Sequence, residues 1–458
     1  MRPSVSIGTE DTGTRFHLLL RGLWVHSESF PWAGSDHVRL LQRLATTGID
    51  LRANSEPPDS TEVLRALSAG GWLTLTVYSN SRRLYSVYPT GPMPAGFSSQ
   101  EDEPSAHPTG RMLSRFAVSR RQDESLIVES PLAAARLEIS DPALAAVLGA
   151  VALGETGEPA AGTLPTTVVN RFLRDLGYAG VLADPSADEP AHLRQWATQD
   201  LWFHHRSRVG NGAYPDAGFG RTEWGKQLHP SVPILREPHA GARIALPKPD
   251  LATKMADDVP LAWAMETRRS VREHDNDNPL DLRTLSELLY RSARIRSTSI
   301  VQGTEYVSSP YPSGGSAYEL EVYPVVGLVD GLSSGVYHYD KFGHSLCRID
   351  QDGDSAQRLL RTAGAAVATR ERPQVLLIIS ARFGRLLRTY ESIPYALILK
   401  DVGVLYQSVY LVATSLGIGA CALGAGDEAL FSEVIRTERT VESSVGELIL
   451  GSVRPRSN

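Results

Sequence analysis

Residues Arg388–Asp427 read RTYESIPYALILKDVGVLYQSVYLVATSLGIGACALGAGD, and this stretch decides how the rest of the chain is read. Tyr395–Leu416 carries one long helical pattern, apolar on most sides and interrupted only by Lys400, Asp401 and Gln407. An all-round apolar helix belongs in a core or at a subunit interface. Gly417-Ile418-Gly419 ends it, and Leu423-Gly424-Ala425-Gly426 makes a loop nearly without side chains.

Downstream, ELILGSVR reads as the last strand, with Arg454 just past it. Upstream, PQVLLIISAR is a near-continuous apolar run of the kind buried on both faces of a sheet. GVYHYDKFGHSLCRI reads as a hairpin turning near Lys341-Phe342-Gly343. Before it, Pro312-Ser313-Gly314-Gly315 is a tight loop leading into Tyr318, Leu320, Val322, Pro324 and the run Val325–Val329. Glycines let backbone N–H groups approach a flat ligand closely, although the same residues also read as an ordinary turn. Earlier still, Thr284–Tyr290 places Leu285, Leu288 and Leu289 on one helical face. Arg268-Arg269-Ser270-Val271-Arg272 brings three guanidiniums and a hydroxyl together within five residues. On an extended segment alternate residues reach the same side, and arginine offers fixed N–H pairs to a phosphate. A solvated charge run at a helix end is the alternative.

Three breaks divide the chain: Pro89–Gly110, Gly154–Pro165, and the proline-rich stretch His229–Pro249. Pro230, Pro233, Pro238, Pro247 and Pro249 forbid a regular helix in the third, which reads as the main inter-domain linker. Before the first break come a strand-like RFHLLLRGLWVH, helices over DHVRLLQRLATTG and STEVLRALSAGGW, and a hairpin WLTLTVYSNSRRLYSVYP. Strands and two helices recur from Arg111. The pattern predicts winged-helix-like modules over 1–92 and 111–228, with a third domain over 250–458. In the first hairpin only Arg82 and Arg83 cluster, and no helix there is rich in Lys or Arg, which argues against DNA binding. His204-His205 lacks ligands at metal spacing and reads as part of a packed helix.

Composition fits this picture. The 458 residues suggest two or three domains, and the net charge of −6 excludes a generally cationic nucleic-acid or membrane binder. Cys347 and Cys421 are the only cysteines, too few for a disulfide framework or a Cys-rich zinc site. MRPSVSIGTEDTG has no signal-peptide apolar core, and the best uninterrupted apolar run, Ala143–Leu153, is too short to span a bilayer. The expectation is a cytoplasmic protein that binds neither nucleic acid nor membrane.

Arg-Arg-Ser-Val-Arg, PYPSGG before a Tyr-x-Leu-Glu strand, the YxxIPYALxLKDVGxLYQ helix and the LGIGACALGAGD loop together resemble the nitroreductase superfamily. Within it they are most similar to the SagB-type azoline dehydrogenases that mature ribosomally made peptides. The resemblance covers Ala262–Arg454, and the upstream modules loosely resemble the peptide-clamp regions of some members. It implies an α+β architecture: an FMN domain with a central mixed or antiparallel sheet and helices, preceded by tandem winged-helix-like modules. It also implies a homodimer with FMN at its interface. Arg268, Arg269, Ser270 and Arg272 match the motif holding the flavin's phosphate, ribityl chain and pyrimidine edge. Pro312, Ser313, Gly314 and Gly315 match the loop laid on the ring from the partner subunit. Leu423, Gly424 and Gly426 match the loop beside the ring near N5, and Arg454 fits a second phosphate contact.

The reaction so implied is oxidation of thiazoline or oxazoline to thiazole or oxazole in a precursor peptide, with a cyclodehydratase as a further partner. A base removes the ring proton beside the carbonyl while a hydride leaves for the flavin. The family's Lys-Tyr pair is here Thr389-Tyr390, preceded by Arg388. Tyr390 is read as base or proton relay with Arg388 or Lys400 as its cation, or else as a packing aromatic. A NAD(P)H-dependent nitro- or quinone-reductase and a flavin-less scaffold of a biosynthetic complex stand as alternatives. The first leaves the N-terminal half without a role, and the arginine and PSGG motifs oppose the second.

Overall fold

The computed structural model describes residues 5–9, 16–20, 27–30, 35–46, 60–94, 111–155, 162, 164–184, 190–208, 232–237, 239–301, 304–350, 353–368 and 371–454. The chain divides into two compact units, Met1–Gly220 and Arg221–Asn458.

In the first unit β1 (Val5–Thr9), β2 (Phe16–Leu20) and β3 (Ser27–Phe30) form an antiparallel sheet. Helices Ser35–Thr46 and Ser60–Ala69 follow, as the leucine spacing predicts. The hairpin of β4 (Leu75–Ser79) and β5 (Arg82–Pro89) turns at Asn80-Ser81, both with positive φ. β6 (Met112–Leu113) pairs with β10 (Leu182–Ala183). β7 (Val118–Gln122), β8 (Ser125–Glu129) and β9 (Ala135–Ile139) form an antiparallel run.

Here the structure corrects the division at 92/111. β5 pairs along its length with β9, so the strands form one five-stranded sheet, ordered β4-β5-β9-β8-β7. Leu84, Tyr85 and Val87 share a core with Leu137, Leu144, Phe172 and Leu176. Neither half could bury that apolar surface alone, which is why two separate modules do not form. Asp141 caps helix Pro142–Ala152, and Gly180, in the left-handed region, closes Thr166–Ala179. Arg82 pairs with Asp141 and Arg83 with Glu138, so the hairpin's cations are already neutralised. Residues 198–206 are helical, as expected, and no metal-binding cluster occurs among the described residues.

The second unit is built on a seven-stranded sheet. Its strands are β11 (Arg243–Ala245), β14 (Leu320–Val326), β15 (Gly335–Asp340), β16 (Ser345–Arg348), β17 (Val375–Arg382), β18 (Gly419–Ala422) and β19 (Glu442–Gly451). The order is β11-β16-β15-β14-β17-β19-β18, every pair antiparallel, and β12 (Ser297–Val301) and β13 (Thr304–Ser308) make a separate hairpin. β17 shows why its sequence is continuously apolar. Leu377, Ile379 and Ala381 face one core with helices Leu282–Ala293 and Pro394–Ser415. Leu376 and Ile378 face another with helices Asp354–Ala366 and Glu428–Ile435. Strand alternation feeds both layers.

The helix Pro394–Ser415 has proline in its first turn, where a missing N–H costs nothing. By length and mean hydropathy it is the one helix among the described residues that could cross a membrane. Ile398, Val402, Leu405, Val409 and Ala413 are instead buried in the core, while Tyr395, Leu399 and Val404 stay exposed. It is therefore not apolar to its neighbours on all sides.

A second correction concerns the proline-rich stretch. It is not a free linker: the second unit starts at Arg221, β11 extends its sheet, and Ile234 and Leu246 are buried. No proline falls within Arg243–Ala245, so three residues suffice for an edge strand between Pro238 and Pro247. The domain boundary expected at 250 thus lies some way before it.

Candidate functional site

The Arg268–Arg272 segment runs as a short parallel partner of β18. Ser270 bridges to Ala420, and Val271 N–H donates to Ala420 O at 2.9 Å. Gly419 allows this approach, since a β-carbon there would lie 2.8 Å from the Val271 side chain. This isolated bridge is parallel, whereas every strand pair of the seven-stranded sheet is antiparallel, one of the two arrangements expected. Tyr410, from the long helix, ties these parts together. Its hydroxyl lies 3.2 Å from Ser270 Oγ and accepts the Ala422 N–H at 2.7 Å. The Arg268 guanidinium stands 5.3 Å over its ring.

The arginine motif and the LGIGACALGAGD loop are therefore brought together. Arg268 is half-buried, Arg269, Ser270 and Arg272 are exposed, and no carboxylate of the described residues pairs with any of the three arginines. Unpaired guanidiniums on an edge suit a phosphate dianion. A β-carbon on Gly424 would meet nothing within 4 Å, so the backbone there is open to a flat group. These donors fit FMN. Three expected residues fit less well. Gly426 is not open, because the Glu447 carboxyl fills the space a side chain would take, while Leu423 is buried with its N–H on Glu447 O at 2.8 Å. Arg454 is exposed, and its guanidinium lies 3.7 Å from Glu371.

The Pro312–Gly315 loop is held from below. Ser313 Oγ accepts from Tyr318 N–H at 2.9 Å and lies 3.0 Å from Asp401 Oδ2 and 3.2 Å from Glu319 Oε2. Gly314 N–H donates to Asp401 Oδ2 at 2.9 Å. Gly315 has φ +60°, and the Tyr390 hydroxyl fills the place its β-carbon would take. Tyr390 sits in the turn between helices Gly384–Leu387 and Pro394–Ser415, 9% exposed. Burial, then the neighbouring Asp401, pushes the Glu319 carboxyl up to about 8, and burial raises Asp401 too. Lys400 is exposed and acts electrostatically on Asp401; no contact of the described residues joins it to Tyr390. Arg388 is half-buried two residues before Tyr390. Tyr410, Glu319 and Asp401 escaped the sequence reading, although Asp401 already broke an otherwise apolar helix.

A second buried polar cluster lies beside Tyr323. Glu321 meets His338 at 3.2 Å, Lys341 at 3.3 Å and Arg382 at 3.5 Å. Burial alone would raise the Glu321 carboxyl, but Lys341, His338 and Arg382 outweigh it and bring it down to about 2. A cavity of about 330 Å³ opens between this cluster and Ile234–Glu237.

Comparisons agree with the geometry. Residues 265–452 match the model of the Nitroreductase family, and residues 111–213 match that of Cyanobactin oxidase ThcOx. A Methanocaldococcus jannaschii protein carrying the nitroreductase name, MJ1384, is 33% identical over 183 residues, 39% of this chain and 86% of that protein. Trifolitoxin-processing protein TfxB of Rhizobium leguminosarum bv. trifolii is 27% identical over 178 residues, 38% of this chain and 48% of its own length. Microcin B17-processing protein McbC of Escherichia coli is 29% identical over 147 residues, 31% of this chain and 51% of its own. The chain spans about half the length of the latter two.

Proposed function

The chain belongs to the nitroreductase family, and from that premise we propose that it is an FMN-dependent azoline dehydrogenase that converts thiazoline or oxazoline rings of a ribosomally made peptide to thiazole or oxazole. Members of the family bind flavin, and the chain is an oxidoreductase. One observation carries the choice of substrate. Residues 111–213, which small-molecule reduction does not need, match a cyanobactin oxidase model in the same chain as the nitroreductase match. The trifolitoxin- and microcin-processing relatives support a peptide substrate.

Bound FMN supplies a two-electron hydride acceptor. Arg268 and Arg272 hold its phosphate through paired N–H donors, with Arg269 adding positive charge. Ser270 is kept in place by Tyr410, and the Gly424 backbone is open to the ring. Tyr390, withdrawn from bulk water and fixed over Gly315, takes the ring proton beside the carbonyl. Arg388, half-buried two residues earlier, adds a positive charge to the same turn. Exposed Tyr395, Leu399 and Val404 on the long helix, with Leu261, Trp263 and Met265 on helix Leu261–Thr267, supply apolar surface for a homodimer. The protein works in the cytoplasm with its precursor peptide and a cyclodehydratase. The test is to incubate the full chain with an azoline peptide and dioxygen, without NAD(P)H, and to look by mass spectrometry for loss of two hydrogens per ring.

A further inference from the structure

The strongest unexplained feature is the proton count beneath the Pro312–Gly315 loop. Ser313 Oγ already accepts the Tyr318 N–H, and its single O–H proton is all it can donate. Two carboxyls nevertheless lie within hydrogen-bond reach of it, Asp401 at 3.0 Å and Glu319 at 3.2 Å. Glu319 is fully buried and Asp401 is 6% exposed. Asp401 also accepts the Gly314 N–H, whereas Glu319 Oε1 has no hydrogen-bond partner among the described residues. No cation forms an ion pair with either carboxyl in the described residues. Arg385 spends its Nε and one terminal nitrogen on Ala317 O and Val232 O. Tyr311 faces both carboxyls, Arg385 acts electrostatically on Glu319, and exposed Lys400 acts on Asp401. Two ionised carboxylates sharing one serine hydroxyl in such a place would leave lone pairs bare and charges opposed.

We propose that Glu319 and Asp401 hold one proton between them, and that the pair is a positioning device which fixes Ser313 and Gly314, and through Gly315 the Tyr390 hydroxyl. The proton sits on Glu319, and Asp401 stays ionised, as its acceptance of the Gly314 N–H favours. Glu319 and Asp401 touch no reacting atom; they act through the loop. Burial and Asp401 set the Glu319 carboxyl at about 8, so the device is intact at neutral pH and loosens as pH rises past that value. Its consequence for flavin rests on the reading above; the proton itself does not.

The experiment uses the full chain and the variants Glu319→Gln, whose amide donates permanently, and Asp401→Ala. Infrared spectroscopy of wild type at neutral pH should show a protonated carboxylic-acid carbonyl band that vanishes in Glu319→Gln and fades in wild type as pH rises through about 8. FMN fluorescence titration should give wild-type affinity that falls over the same range, a flat affinity for Glu319→Gln, and about tenfold or greater weakening for Asp401→Ala. Absence of a band sensitive to Glu319→Gln overturns the shared proton, whether or not flavin binds. A Glu319→Gln affinity that falls with pH as in wild type overturns the positioning role.

Discussion

The hydroxyl of Tyr390 occupies the space into which a β-carbon on Gly315 would project; such an atom would also lie 3.2 Å from Tyr390 Cζ. Gly315 holds φ +60°, a conformation that costs other L-residues about 1 kcal/mol. The PSGG loop and the proposed base are thus one structure. Gly315→Ala should displace the phenol and reduce ring oxidation about tenfold or more, while flavin stays bound. Turnover and FMN absorbance measured on the same sample check this.

Tyr390→Phe removes the proposed proton acceptor and leaves the ring packed among the buried residues of the core. Oxidation of an azoline peptide should fall by about 10²-fold or more, the usual worth of a general base. The variant should still fold and remain yellow. Azole formation at the wild-type rate would return Tyr390 to a packing role.

Arg268→Gln and Arg272→Gln each remove a guanidinium with no carboxylate partner among the described residues. Each should weaken FMN binding about tenfold to hundredfold, the worth of hydrogen bonds to a charged group. Arg454→Gln, whose parent already faces Glu371, should matter less. Equilibrium fluorescence titration separates the three.

Lys341 donates to Leu320 O at 2.6 Å and lies beside the buried Glu321 carboxylate. Lys341→Met should cost about 3–5 kcal/mol at neutral pH, because it strips a buried charge of a partner. The sign follows from Glu321, lowered to about 2: its stabilisation is present above the ordinary carboxylate range and is lost as pH falls through about 2. In the variant the carboxyl titrates higher, so its deficit against wild type should shrink between neutral pH and mild acid. Thermal melts across that range test it.

The place of the truncation matters. A cut after Gly220 keeps β11 and the Arg236–Glu442 ion pair with the sheet, whereas a cut after Asp250 removes them. The longer fragment should bind FMN and melt several degrees higher than the shorter one. Both should lose activity on full-length peptide, since both lack residues 111–213.

The sequence made much of this legible, for local reasons. Apolar runs such as Val375–Arg382 and the helix Pro394–Ser415 announce themselves by continuity, and Arg268–Arg272 by charge. What stayed hidden is long-range. Nothing in Arg82–Pro89 says that it will pair with Ala135–Ile139 across a proline-rich break, and nothing in Arg243–Ala245 says that it will join a sheet. Asp401 and Tyr410 sit on one long helix and Glu319 just before β14, so the meeting of that helix with Ser313 and Ser270 exists only once the chain has folded.

The decisive measurement is mass spectrometry of an azoline-bearing peptide after incubation with the full, FMN-loaded protein in air, with no NAD(P)H. Loss of two hydrogens per ring is the expected result. An unchanged peptide mass, from a protein that rapidly oxidises NADPH when given a nitroarene, would contradict it.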